Sequence, residues 1–170
     1  MKWYAEERGA LFNKQPTYCE LEDTGFFVGS LLKIGHPVES RIAGKLKNQK
    51  RTIASQSVTS GVHPVFYTRK VSFFLQFLNF VPKVWDADGR LREPSELKSL
   101  SFADRDSQTT ALACLSSSLF YWFNTANSDC RNLNKREVVG LPTPANISER
   151  DTIALREILE RLMEDYERNS

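Results

Sequence analysis

Between Arg131 and Arg136 the chain sets two arginines, two asparagines and a lysine within six residues, RNLNKR. A guanidinium is a planar fork of donors, and a carboxamide carries both donors and an acceptor. These residue types suit base edges: Arg matches the two acceptors of guanine, and Asn the acceptor and donor of adenine. Far upstream, Phe66-Tyr67-Thr68-Arg69-Lys70 supplies a phenol and two more cations. A third group, Arg41, Lys45, Lys47, Lys50 and Arg51, is assigned to phosphates. These five, with Tyr67, Arg69, Lys70, Arg131, Asn132, Asn134, Lys135 and Arg136, are the residues whose types could contact a nucleic acid, and the motif order set out below is what implies recognition loops at Arg69 and 131–136.

Other chemistries are poorly provided for. Asp86-Ala87-Asp88-Gly89 opens like a calcium loop, but the later oxygen ligands and the closing glutamate are missing. Asp88 with Glu96-Leu97-Lys98 loosely follows the pattern of magnesium-dependent nucleases. Those carboxylates must converge on one metal, whereas Glu93-Pro94-Ser95 looks like a turn leading into a strand. Gly25 and Gly29 stand in no G-x-G-x-x-G, and no Walker lysine follows them. His36 and His63 each precede a proline and read as loop residues, and no serine has a nucleophile-elbow context. Cys19, Cys114 and Cys130 are odd in number and lack a Cys-x-x-Cys pair, the usage of reduced cytosolic thiols.

The recognition-type residues need a platform. Leu112, Leu115, Leu119, Tyr121, Trp122 and Phe123 give residues 107–124 the apolar density of one buried helix. Ser107 stands at its N-cap, the run Ser116-Ser117-Ser118 lies in mid-helix, and Asn124 to Ser128 hold the breakers that stop it. Asn134, three residues before Glu137, predicts a capping box on a short helix, a role that would occupy the Asn134 side chain. Leu141-Pro142-Thr143-Pro144 then forces extended backbone.

Upstream, Val38, Ile42, Leu46 and Ile53 predict one basic helix near 38–54. Residues 54–64 form a polar loop, and 65–70 and 72–78 read as strands, with Phe73, Phe74, Phe77 and Phe80 filling the core. Asp88-Gly89 predicts a two-residue hairpin turn within 83–91. Leu97 to Phe102 alternates as a strand with Leu100 and Phe102 inward. Ser148 to Arg168 is the cleanest helix: Ser148 caps, Asp151 takes the capping-box position, and Leu155, Ile158, Leu159, Leu162, Met163 and Tyr166 form one stripe. At the other end, Met1 to Lys14 suggests a helix on Trp3, Tyr4, Leu11 and Phe12, weakened by Gly9, and residues 18–34 a strand or bend.

LSSSLFYWF (Leu115 to Phe123), SDCRNLNKREV (Ser128 to Val138) and LPTP (Leu141 to Pro144), with the earlier Tyr67-Thr68-Arg69, occur here in a recognisable order. In that order they resemble the C-terminal TaqI-like specificity domain of adenine-specific DNA methyltransferases and fused restriction–modification enzymes. The resemblance is good from about Val62 to Pro144 and vague over residues 1–60. It implies an α+β target recognition domain over 1–146: a twisted, largely antiparallel sheet flanked by helices. Residues 147–170 add an acidic amphipathic helix. The resemblance also implies recognition of double-stranded DNA beside a methyltransferase catalytic domain or subunit that binds S-adenosylmethionine.

The chain has no adjacent prolines, so the acidic-or-amide, Pro, Pro, aromatic loop that holds a flipped adenine is missing, as is a glycine-rich cofactor turn. No cofactor and no catalysis are therefore expected of this chain alone, and it has the character of a separate or excised specificity piece.

Charge agrees with a polyanionic partner. The net charge is only +2, yet residues 33–92 carry eleven basic and three acidic side chains, and Ser40 to Trp85 holds eight Lys or Arg with no Asp or Glu. Residues 147–170 carry four basic and seven acidic groups, which DNA would repel. The alternative function follows from that helix: an interaction module docking to a partner subunit, without DNA. No signal peptide and no membrane span is expected, and the predicted location is cytoplasmic.

Overall fold

A computed structural model of the chain describes residues 25–71 and 75–169. The expected N-terminal helix, Cys19, the first part of the 18–34 stretch, Phe73 and Phe74 lie outside the described residues. The fold is α+β, with six helices and antiparallel strand pairs among the described residues.

Helix α1 (Pro37–Lys47) begins with a proline whose fixed φ suits a first turn. His36 lies outside the helix, as expected of a loop residue, and also caps it: its Nδ1 accepts the Val38 N–H at 3.1 Å. The basic helix expected over 38–54 ends at Lys47. Strand β1 (Arg51–Thr52) and the single-turn helix α2 (Ile53–Gln56) follow. The reason is local. Thr52 Oγ1 accepts the Ser55 N–H and Ser55 Oγ accepts the Thr52 N–H, a capping box that starts a new helix and holds Thr52 extended. Lys50 and Arg51 thus leave the helix assigned to them.

Strands β2 (Ser57–Val58), β3 (His63–Thr68) and β4 (Phe77–Leu78) come next, so the expected polar loop contains α2, β2 and the start of β3. His63 opens a strand. Strands β5 (Val84–Trp85) and β6 (Leu91–Arg92) form the expected hairpin. Its connection is one residue longer than a two-residue turn: the Asp86 N–H bonds the Arg90 carbonyl, and Gly89 takes φ +75. Strand β7 (Leu97–Phe102) has the expected bounds, with Leu100 and Phe102 buried. The main sheet runs β2-β7-β3-β4, antiparallel throughout.

The long helix expected over 107–124 is two helices, α3 (Arg105–Leu115) and α4 (Ser118–Asn127). Asp104, not Ser107, caps the first: its carboxylate accepts both the N–H and the hydroxyl of Ser107. Those bonds, the N–H first, hold the Asp104 pKa below the usual range. Ser117 makes the break, donating its hydroxyl to the Cys114 carbonyl at 2.6 Å while accepting the Phe120 N–H. Replacing such a cap by Ala costs about 1 kcal/mol.

Helix α5 (Lys135–Gly140) follows Asn134, whose side chain makes no cap bond. The predicted capping box with Glu137 does not form, because Glu137 is buried and engaged by Arg136. Strand β8 (Pro142–Thr143) pairs with β1, fixing the extended exit expected there. Gln56 Nε2 donates to Thr143 Oγ1 at 2.6 Å behind that pair.

Helix α6 (Glu149–Arg168) has the expected cap: Ser148 Oγ accepts the Asp151 N–H and donates to the Asp151 carboxylate. It packs on α3 through Leu159 and Met163 and carries two ion pairs to that helix, Arg105–Glu160 and Arg156–Asp106. Ile158 departs from the predicted stripe and is 61% exposed. One residue is about 100° of helix rotation, which carries Ile158 away from the face that buries Leu159.

α3 packs against β3, β4, β7, β8, α4 and α6, so the core forms around it. A row of rings crosses that core. Tyr67 lies 5.8 Å from Phe77, Phe77 5.3 Å from Phe120, and Phe120 6.4 Å from Phe123. Phe26 and Phe27 close the row, 4.9 and 6.2 Å from Phe123. The edge-to-face members, Phe77–Phe120, Phe26–Phe123 and Phe27–Phe123, add about 0.5–1.5 kcal/mol each beyond burial. The row runs from the sheet to the 26–27 segment, and its ends abut the two surfaces described next.

Candidate nucleic-acid interface

Strand β3 ends at Thr68, and Arg69 and Lys70 continue past it. The polar loop after α4 docks at this point. Lys70 and Asn132 form an antiparallel bridge, and the Leu133 N–H donates to the Arg69 carbonyl at 2.8 Å. Leu133 is buried and anchors the loop, leaving Asn132 and Asn134 to flank it at the surface. Register places Lys98 of β7 opposite Tyr67.

Two adjoining cavities result. One, of about 440 Å³, is lined by Arg69, Lys70, Ser95, Glu96, Lys98 and Asn132. The other, of about 370 Å³, has Tyr67 and Leu133 with Arg69, Lys98, Asn134 and Lys135 around it. Arg69 and Lys98 belong to both, so the two form one groove. Its lining holds four cations, Arg69, Lys70, Lys98 and Lys135, against one carboxylate, Glu96. A recess lined by one sign of charge concentrates ions of the other sign.

Tyr67, expected among the contact residues, lines the groove from beneath its surface. It is 4% exposed and packs on Phe77, and burial raises its phenol pKa above the usual value. It is the groove's floor. Lys98 also lines the groove and is not among the residues that the sequence singles out. Its signal was the outward position in an alternating strand, but which residue stands opposite depends on pairing that the local sequence does not encode.

Arg131 is exposed beside the groove. The Asp129 carboxylate accepts its backbone N–H at 3.0 Å, and that bond lowers the Asp129 pKa. Among the described residues the Arg131 guanidinium forms no ion pair, with Asp129 or with Glu137. The turn before it is tightly held: Ser128 Oγ accepts the Cys130 N–H, the Ser128 carbonyl accepts from Lys33 Nζ, and Cys130 takes φ +60.

Arg136 stands apart from the groove. Its Nε and Nη2 donate to Glu137 Oε1 at 3.1 and 2.8 Å, and its guanidinium lies 4.6 Å from the Phe27 ring centre.

The remaining cations occupy other surfaces. Arg41 and Lys45 are exposed on α1, and Lys47 Nζ lies 5.8 Å from the Phe26 ring centre. Lys50 is exposed in the turn before β1. Arg51 Nη1 donates to the Ala145 carbonyl at 3.0 Å and lines a separate polar cavity of about 270 Å³ with Gln56 and Asp106.

Among the described residues no cluster of three His, Cys, Asp or Glu side chains is placed to hold a metal ion. No described helix is long and apolar enough to cross a membrane. Comparison of the chain with protein-family models, curated proteins and solved structures gave no match.

Proposed function

We propose that this chain is a double-stranded DNA recognition domain, the specificity part of a restriction–modification adenine methyltransferase. The methyl donor S-adenosylmethionine and the transfer chemistry belong, in this reading, to a catalytic domain or subunit that docks beside it. One observation carries the reading: the Lys70–Asn132 bridge joins the Tyr67–Lys70 strand end to the 131–136 loop, so residues far apart in sequence line one cationic groove. Cations position a protein on phosphates, and amides at the same rim discriminate bases. The ordered likeness of the motifs to a TaqI-like specificity domain supports the same assignment.

Fluorescence anisotropy of a labelled duplex across a salt series tests it. Binding is expected at low salt and falls steeply, with a log–log slope of about −0.9 per neutralised phosphate. Methyl transfer is expected only when a catalytic partner is added. No binding at low salt would sink the reading.

The rival is a docking module acting through α6, and a specific observation favours it: Ile153 and Ile158 are exposed on that helix. A partner bound with little salt dependence, together with no duplex binding, would decide for the rival.

A further inference from the structure

Arg136 differs from every other cation in the candidate set in being held at both its inner edge and its face. Nε and Nη2 converge on one oxygen of Glu137, a carboxylate that is 0% exposed. The guanidinium lies against Phe27, and Phe27 in turn packs on Phe123. Gly140 completes the seat: a Cβ there would stand 2.5 Å from Phe27 Cε1, so a side chain would displace the ring. Yet the Arg136 side chain remains 57% exposed, and its Nη1 donates to no partner among the described residues. Half of the fork is tied down and the Nη1–Nη2 end is left outward.

A planar donor pair fixed in orientation pays little ordering entropy on binding and matches two acceptors side by side. In the major groove that pair is guanine O6 and N7. We infer that Arg136 is a guanine-reading residue, and that Glu137 and Phe27 are positioning residues that aim its fork. The inference rests on the DNA reading above and deepens it. A lysine at 136 would keep the charge and lose the fork, so charge alone does not replace this residue. Lys47 is seated similarly over Phe26, but an ammonium has no fork to aim and serves as a point charge.

The test is selection from a pool of randomised duplexes by the full chain, followed by sequencing, for wild type, Arg136→Lys and Phe27→Leu. Thermal melting checks that each variant is folded. Wild type is expected to prefer guanine at one position by about ten- to a hundredfold. Arg136→Lys should abolish that preference and leave the other positions intact. Phe27→Leu should weaken it severalfold at the same position. Guanine preference retained in Arg136→Lys overturns the assignment. So does a loss spread equally over all sequences with a salt slope lower by about one, which marks a phosphate contact. A wild-type chain that binds the pool without selecting overturns this inference alone. A chain that binds no duplex overturns the reading beneath it.

Discussion

The backbone N–H of Leu133 donates to the carbonyl of Arg69 at 2.8 Å, across more than sixty residues of sequence. With the adjacent Lys70–Asn132 bridge it is the joint on which the groove depends. Because the joint is main chain to main chain, side chains on either side can vary without undoing it.

Lys98 projects into both halves of the groove. Lys98→Ala should weaken all duplex sequences alike and lower the salt slope by about 0.9. Lys45→Ala, on exposed α1, serves as the comparison. An unchanged slope for Lys98→Ala beside a lowered one for Lys45→Ala would move the phosphate track from the sheet to the helix.

Arg131 sits on a turn fixed by Asp129 and Ser128, with its guanidinium exposed. Under the proposed DNA reading, with a methyltransferase catalytic partner added, Arg131→Ala should relax site choice and leave melting unchanged, with discrimination reduced by about 1–3 kcal/mol at one base pair. Sequencing the methylated sites reads this out. Unchanged sites at an unchanged rate would return Arg131 to the ordinary solvated surface.

Glu39 ties α1 to α4. Its carboxylate accepts the Gly35 N–H at 2.7 Å and the Trp122 indole N–H at 2.8 Å, and these bonds, Gly35 first, lower its pKa. A carboxylate depressed on folding stabilises fully above its unfolded value, about 4.3, and ceases to as pH falls through the lower folded value. With Trp3 and Trp85 changed to Phe, Trp122 emission should shift in acid, below the ordinary carboxylate range. Glu39→Gln should remove that step. A step that survives in Glu39→Gln belongs to another group.

The thiols should separate cleanly. Burial pushes Cys114 up to about 11, while Cys130 is exposed. In a Cys19→Ser background, a thiol reagent at pH 8 should titrate one group rapidly and the second only on unfolding. Two fast thiols would show that the α3 packing around Cys114 opens readily.

What the sequence discloses depends on how far apart the deciding atoms lie. Helix α6 was legible because its cap and apolar repeat are written within four residues of each other. Strand β7 was legible because alternation is a local property. The serine run was misread: a serine inside a helix and a serine capping the next look alike until Ser117 is seen to bond Cys114 and Phe120. Thr52 hid a helix start in the same way. In the groove, Arg69, Lys70, Asn132, Asn134 and Lys135 were legible from residue type together with the ordered motifs of the family resemblance. Lys98 needed the β3–β7 register, the burial of Tyr67 needed its packing on Phe77, and the seat of Arg136, a residue named from the sequence, needed a buried carboxylate that looked like a cap.

Strand β1 pairs with β8, Arg51 opposite Thr143 and Thr52 opposite Pro142. The stretch that contains the main sheet and the groove therefore starts and finishes at neighbouring positions. A segment with adjoining ends can be exchanged for one of different length and different surface while the flanking backbone stays where it is. The ribbon of β1 and β8 is in this sense a cut site: residues 51–143 carry the whole groove between adjoining ends, whereas the Phe27 seat of Arg136 lies outside them and would have to be supplied by the recipient chain.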